Sequence, residues 1–288
     1  MALNALRTYN RKVSASNIFG ALLRYWRNAR GFSQLDLSAT AEVSARHLSF
    51  LETGRARPSR EMVMQLSAAL DVPMREQNSL LRAAGFSDAY AEPELGEGLD
   101  PQLRGMLERM LAQQEPYPLI VMNSHYDVVQ MNGAALRLFG HALGERAQGL
   151  AVRPNLPRLV FDPEGLRPLL VDWDSCARYM LLRLQREILQ RPADLALKQL
   201  MSSMCGYAGV PANWRVPDLE QPSHATFNFQ VELAGVRYAF STALTVFNSP
   251  QSIAAEELRM ESYFPLDDVT DALCRRLAES PSGAVSQV

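Results

Sequence analysis

The sequence predicts a multi-domain chain: an all-α, five-helix N-terminal domain, then an α+β domain with an antiparallel sheet of about five strands. Three observations carry this. From residue 18 to 84, apolar residues recur only at helical spacing. Strict apolar/polar alternation first becomes clear late, in Phe227-Asn-Phe-Gln-Val-Glu-Leu233. Between them, Ser87 to Asp100 (SDAYAEPELGEGLD) carries five acids, no base, two glycines and a proline, a composition that cannot bury apolar surface. The expected division is 1–86, an acidic linker at 87–100, a second domain at 101–280, and a flexible tail at 281–288. A length of 288 residues fits two domains.

The elements follow in order. Phe19, Leu22, Leu23 and Trp26 share one helical face, and Gly31 ends that helix. Ser33 and Asp36 form a capping-box variant that starts a short helix to about Thr40. After the break Ala41-Glu42-Val43, Ser44 caps a third helix that contains Leu48 and Leu51 and stops at Gly54. Pro58-Ser59 starts a fourth, through Met62, Leu66 and Leu70. A fifth, about Arg75 to Ala84, closes at Gly85.

Beyond the linker, Asp100-Pro101 is an N-cap and N1 pair for a helix striped by Leu103, Met106, Leu107, Met110 and Leu111. Two short strands follow, Leu119–Asn123 and Tyr126–Met131, then a helix from Asn132 to Phe139 ended by Gly140. Asp172 to Gln190 is a long helix apolar on several sides, so buried on several sides. Asp172 and Asp174 suit its start, where acids meet the positive end of the helix dipole. Another helix spans about Asp194 to Met204. The loop Ala234-Gly235 sets Val231 opposite Tyr238 and Phe229 opposite Phe240, gathering the large apolar residues on one face. A strand at about Glu257–Phe264, alternating Leu258, Met260, Ser262 and Phe264, and a helix at about Asp267–Ala278 complete the chain.

Composition bounds the function. Hydrophobic residues at 47% and charged residues at 21% exclude wholesale disorder. The absence of an ~18-residue uncharged apolar run excludes a helical membrane span. No apolar core of a signal peptide is visible in Met1–Asn17, and Cys176, Cys205 and Cys274 are odd in number and far apart. A cytoplasmic protein with reduced thiols is expected. The net charge of −2 hides an asymmetry: residues 1–86 hold 12 Lys/Arg and 6 Asp/Glu, while 87–288 hold 17 and 25. A basic N-terminal domain suits a polyanion.

Two short helices joined by a three-residue turn are helix-turn-helix arithmetic. A helix entering a major groove needs small or polar residues at its N-terminal end, here Ser44, Ala45, Arg46, His47 and Ser49. Arg46 suits a guanine O6/N7 edge. His47 could touch a base or phosphate, or be a solvated histidine. Arg55, Arg57 and Arg60 follow as phosphate partners.

The run Gly31-Phe-Ser-Gln-Leu-Asp-Leu, then Val43-Ser-Ala-Arg-His-Leu-Ser-Phe-Leu-Glu52-Thr-Gly54-Arg55, then Pro58-Ser59, resembles the XRE (Cro/C1-type) helix-turn-helix family over about residues 18–73. The resemblance implies that Gln34 anchors a phosphate or a neighbouring base contact and that Ser44, Ala45, Arg46, His47 and Ser49 face the groove. It also implies that Arg55 and Arg57 lie near the DNA backbone and that Glu52 is structural. It implies a double-stranded DNA operator, and because a single helix-turn-helix touches few base pairs, a homodimer is expected.

The later stretches Pro118-Leu-Ile-Val-Met-Asn, Val128 to Gly140, Asn155 to Phe161, Asp172-Trp173 and Trp214 resemble the MmyB-like regulators, whose C-terminal domain is PAS-like. The match departs at Phe247–Glu256. It implies a transcription regulator holding a small lipophilic, fatty-acid-like effector. The residues are compatible. Phe227, Phe229, Val231, Tyr238, Phe240 and Leu244 form one sheet face, and Tyr179 lies on the long helix. Met180, Met201 and Met204 are adaptable fillers. The candidate ligand-binding set is Phe229, Tyr238, Phe240, Tyr179, Met180, Met201 and Met204, with Arg183 or Arg178 available for a carboxylate. The same residues are also what an ordinary core would use.

No catalytic motif, metal-ligand spacing among His47, His125, His141 and His224, or phosphate loop is present, so no enzyme activity, metal or further cofactor is expected. A protein-interaction or enzymatic C-terminal domain localised to DNA is the alternative.

Overall fold

The computed structural model describes residues 15–90, 99–144, 154–191, 194–215, 226–247 and 252–279. The central part of the expected linker, 91–98, and the tail, 280–288, lie outside them. The chain divides into two compact units, Met1–Glu92 with Ser249–Ile253, and Pro93–Asn248 with Ala254–Val288.

The first unit has five described helices: α1 (Ala15–Ala29), α2 (Gln34–Thr40), α3 (Ala45–Glu52), α4 (Arg60–Ala69) and α5 (Met74–Ala84). Each start has a local cause. Ser33 and Asp36 close a full capping box on α2, and the hydroxyls of Ser44 and Ser59 accept the third backbone N–H of α3 and α4. Helix α5 ends at Gly85, whose φ of +88° is the left-handed conformation glycine adopts without strain. The core is Phe19, Leu23, Trp26, Leu37, Leu48, Leu51, Leu66 and Leu81, each at most 1% exposed. On α4 the inward residue is Val63, one position after the expected Met62.

Ser87 to Tyr90 are not free linker. The buried Asn78 amide accepts from the backbone N–H groups of Ala89 and Tyr90 and donates to the Tyr90 carbonyl. Arg82 pairs with Asp88. An acid-rich composition concealed a stretch held mostly by backbone hydrogen bonds.

The second unit is a five-stranded antiparallel sheet with helices. After α6 (Pro101–Gln113) come β1 (Leu119–Met122), β2 (Val128–Met131), α7 (Gly133–Leu143), α8 (Leu156–Phe161) and a 3-10 turn at Arg167–Leu169. Then follow α9 (Trp173–Gln190), α10 (Leu195–Cys205), β3 (Phe227–Leu233), β4 (Val236–Val246), α11 (Ile253–Glu256), β5 (Arg259–Pro265) and α12 (Asp268–Glu279). The strand order is β2-β1-β5-β4-β3, so the last strand closes the sheet between the two hairpins. The β3–β4 register pairs Phe229 with Phe240 and Val231 with Tyr238, as the alternation predicts.

Two expectations are corrected. Helix α7 runs through Gly140 to Leu143, because a helical Gly140 costs only about 1 kcal/mol and Leu143 gains a buried place. On β5 the inward aromatic is Tyr263, not Phe264. The strand is covered on both faces, with Met260 against α6 residues on one side and Glu261 and Tyr263 turned to the other.

Candidate nucleic-acid interface and apolar cavity

The helix-turn-helix is fixed by one buried acid. Glu52, at the end of α3, has a fully buried side chain. Arg27 of α1 donates to it through Nε (2.6 Å) and Nη2 (3.2 Å), and Gln34 of α2 through Nε2 (2.8 Å). Arg24 adds a contact at 3.4 Å. Burial pushes this carboxyl up, but the hydrogen bonds from Arg27 and Gln34 and the two arginine charges outweigh it, so the net shift is downward. Three helices thus meet on one carboxylate. Gly20 lets them meet: a Cβ there would lie 2.6 Å from the carbonyl oxygens of Leu51 and Glu52.

This places the expected DNA residues. Leu48 and Leu51 point inward, which leaves Ala45, Arg46, His47 and Ser49 at least partly exposed along the start of α3. Arg46 lies over the Phe50 ring at 5.4 Å, a rest that keeps the guanidinium on this face. Arg55 and Arg57 are exposed in the loop after α3. Two residues carry further duties. The Ser44 hydroxyl caps α3 by accepting from His47 N–H (3.1 Å), and the Gln34 amide nitrogen is committed to Glu52. Glu52 is structural, as the sequence suggests; its partners Arg24, Arg27 and Gln34 were missed, although a buried acid needs a base and Arg24 and Arg27 stand three apart on α1.

In the second unit, an apolar cavity of about 80 Å³ lies between the sheet and its helices. One water needs only about 10–15 Å³ by the same measure. Helices α7 and α8 supply Leu138, Phe139, Leu156 and Val160; α9 supplies Cys176, Tyr179 and Met180. The sheet supplies Phe227, Phe229, Phe240, Thr242, Glu261 and Tyr263. The aromatics are ordered against one another. Tyr179 stacks on Phe227 at 4.0 Å between ring centroids, and Phe229 stacks on Phe240 at 5.8 Å and meets Tyr263 edge-on at 6.0 Å.

Of the sequence-derived candidates, Tyr179, Met180, Phe229 and Phe240 line this cavity, whereas Tyr238, Met201 and Met204 do not. Tyr238 shares the face of Phe240, two register pairs nearer the hairpin turn, and is buried in the core cluster, while its cross-strand partner Val231 does line the cavity. Met201 and Met204 ride on α10, which packs against α9 and α8. Leu244 is 38% exposed. Sequence reasoning missed Leu138, Phe139, Val160, Glu261 and Tyr263. The Asn155 cap with Pro157 in the first turn could have flagged α8.

The cavity has one polar side. Tyr179, Thr242, Glu261 and Tyr263 all contribute to the lining there. Arg183, a turn beyond Met180 on α9, pairs with Glu261 at 2.6 Å. Its side chain is only 9% exposed, and the carboxylate that it pairs with belongs to the fold itself. Its guanidinium stacks over Tyr126 at 4.7 Å. Tyr126 in turn donates to Glu187, which also binds Arg191 and Arg259. Arg178 instead holds Asn213.

Comparison with known proteins agrees with this division. Residues 103–277 match the MmyB-like transcription regulator ligand binding domain, and residues 23–77 match a helix-turn-helix family. The HTH-type transcriptional regulator DdrOP3 of Deinococcus deserti is 30% identical over 98 residues, covering 31% of this chain and 76% of its own length. The uncharacterized HTH-type transcriptional regulator Rv0023 of Mycobacterium tuberculosis is 30% identical over 140 residues, covering 49% of this chain. The chain spans 47% of that relative's length. Among solved structures, the PAS domain of an HTR-like protein from Haloarcula marismortui covers 57% of this chain and 95% of its own, with 10% identity and a TM-score of 0.26. An RNA-binding light-oxygen-voltage receptor covers 96% and 66%, with 13% identity and a TM-score of 0.28. No described helix is long and apolar enough to cross a membrane. With a profile match over more than half its length and a helix-turn-helix ahead of it, this chain belongs to the MmyB-like transcription regulators.

Proposed function

We propose that this regulator reads a specific operator as a homodimer and that its apolar cavity receives a small lipophilic effector with a fatty-acid-like apolar chain. The observation that carries the reading is an apolar, aromatic-lined cavity in a ligand-binding domain that follows a helix-turn-helix with an exposed helix face. In this reading Arg46, His47, Ala45 and Ser49 meet base edges. Arg55 and Arg57 hold phosphates, and Ser44 and Gln34 contribute through the shape they give α3. A single helix-turn-helix touches few base pairs, so a dimer on half-sites about one turn apart supplies the specificity. Tyr179, Met180, Phe229 and Phe240 would contact the effector. Binding acts by favouring one dimer geometry, which requires different effector affinity in each. The role is regulatory rather than enzymatic, and its setting is the cytoplasm.

The test is selection of genomic fragments by the full-length protein, with binding then measured across salt. Enrichment of a pseudo-palindrome, and log affinity that falls linearly with log salt, are expected. Binding that is sequence-independent overturns the operator reading. For the effector, mass spectrometry of material released from denatured protein should find a lipophilic compound that raises thermal stability on re-addition. Finding none, with no thermal shift from any apolar probe, overturns the sensor reading.

A further inference from the structure

We infer that the cavity selects an uncharged amphiphile, an apolar body with a neutral hydrogen-bonding head group such as a hydroxyl, and discriminates against a carboxylate or an ammonium. The inference rests on the effector reading above and narrows it by chemistry.

The walls contributed by α7, α8 and β3 are aliphatic or aromatic, so they fix no head group. The polar groups gather on one side: Tyr179, Thr242, Glu261 and Tyr263. Their charge is already balanced. Glu261 is the acidic residue among those lining the cavity, and Arg183 pairs with it at 2.6 Å, both side chains less than a tenth exposed. A second carboxylate would put like charge beside Glu261 in a low-dielectric space. An ammonium would put like charge beside Arg183. Either leaves one buried charge uncompensated, which is the costly case.

The free edge of Arg183 does not reverse this. Its Nε and Nη2 have no hydrogen-bond partner among the described residues, but Arg183 is not among the residues lining the cavity and its guanidinium lies against the Tyr126 ring. The lining therefore sets Glu261, already paired with Arg183, beside three hydroxyl-bearing residues. A carboxylate accepts and a hydroxyl does both. A neutral head group that donates to Glu261 and accepts from a hydroxyl satisfies the set without adding charge.

The experiment uses three eight-carbon probes on the full chain at pH 7.5: octan-1-ol, octanoate and octylamine. Affinities are read by calorimetry and by thermal shift. Octan-1-ol should bind at least about tenfold more tightly than either ion. Octanoate or octylamine binding as tightly as octan-1-ol overturns the inference and leaves the effector reading standing. If none of the three binds, both fall. A variant sharpens the result. Glu261→Gln removes the negative member of the pair, so Arg183 becomes the uncompensated charge and octanoate should overtake octan-1-ol. An unchanged order in a folded variant overturns the charge-balance argument, and the wild-type series decides the matter alone if the variant does not fold.

Discussion

Replacing Glu52 with Gln keeps the side-chain shape and removes the charge on which α1, α2 and α3 converge. The side chain of Glu52 is fully buried, and that of Arg27, its main partner, is 12% exposed. Breaking one member of such a pair strands the other, at a cost of about 3–5 kcal/mol. Arg24, half exposed, can turn to water and adds little. A domain's whole stability is about 5–15 kcal/mol, so this loss should loosen the N-terminal unit without necessarily unfolding it. Because the chain has two units, the readout should be local: amide hydrogen exchange in α1 to α3 of the full-length protein, where protection should drop by about two to four orders of magnitude. The pH dependence has a defined sign. The folded Glu52 carboxyl lies below its ordinary value, so its stabilisation is present at neutral pH and is lost as pH falls below about 4 toward the folded value. Glu52→Gln should flatten that acid limb. Exchange within threefold of wild type, with the acid limb unchanged, would refute the network's role.

Other outcomes follow from the same geometry. Gly20→Ala gains about 1 kcal/mol of helix propensity but forces a Cβ to 2.6 Å from two carbonyls, costing about 1–3 kcal/mol, so the N-terminal unit should not be stabilised. A more protected unit in hydrogen exchange would show that α1 can move off α3. Tyr126→Phe removes the buried donor to Glu187 and should lower the second unit's stability by about 1–3 kcal/mol in urea followed by tryptophan fluorescence. An unchanged midpoint would mean that Arg191 and Arg259 satisfy Glu187 alone. Titration with a thiol reagent should modify exposed Cys205 first. Burial pushes Cys176 up to about 12 and Cys274 up to about 11, so rapid labelling of either contradicts the packing.

Elements that rest on local chemistry were legible from sequence. The caps at Ser33, Ser44 and Ser59 and the Phe229–Phe240 pairing are set by neighbours in the chain, and the structure has them where the sequence puts them. The cavity was legible only in part, because its wall is assembled from six separated helices and strands. Tyr179 and Phe229 stood on recognisable stripes, but nothing near Glu261 in sequence says that Arg183, 78 residues earlier, will neutralise it. Tyr238 was placed on the right face, yet its cross-strand partner Val231 lines the cavity and Tyr238 does not, since alternation gives the face of a strand and not which side chains on it border a space. The docking of Ser87–Tyr90 was hidden for a related reason: Asn78 holds backbone atoms, which composition does not register.

The central claim is that the N-terminal end of α3 reads base edges. It is tested most directly by the affinity of wild type and Arg46→Ala for the selected operator and for a scrambled duplex at one salt concentration. Arg46 should contribute about 1–3 kcal/mol of discrimination, so the variant should lose roughly 5- to 150-fold on the operator and little on the scrambled DNA. An equal loss on both duplexes would make Arg46 a phosphate contact, and no loss on either would contradict the assignment of α3 as the reading helix.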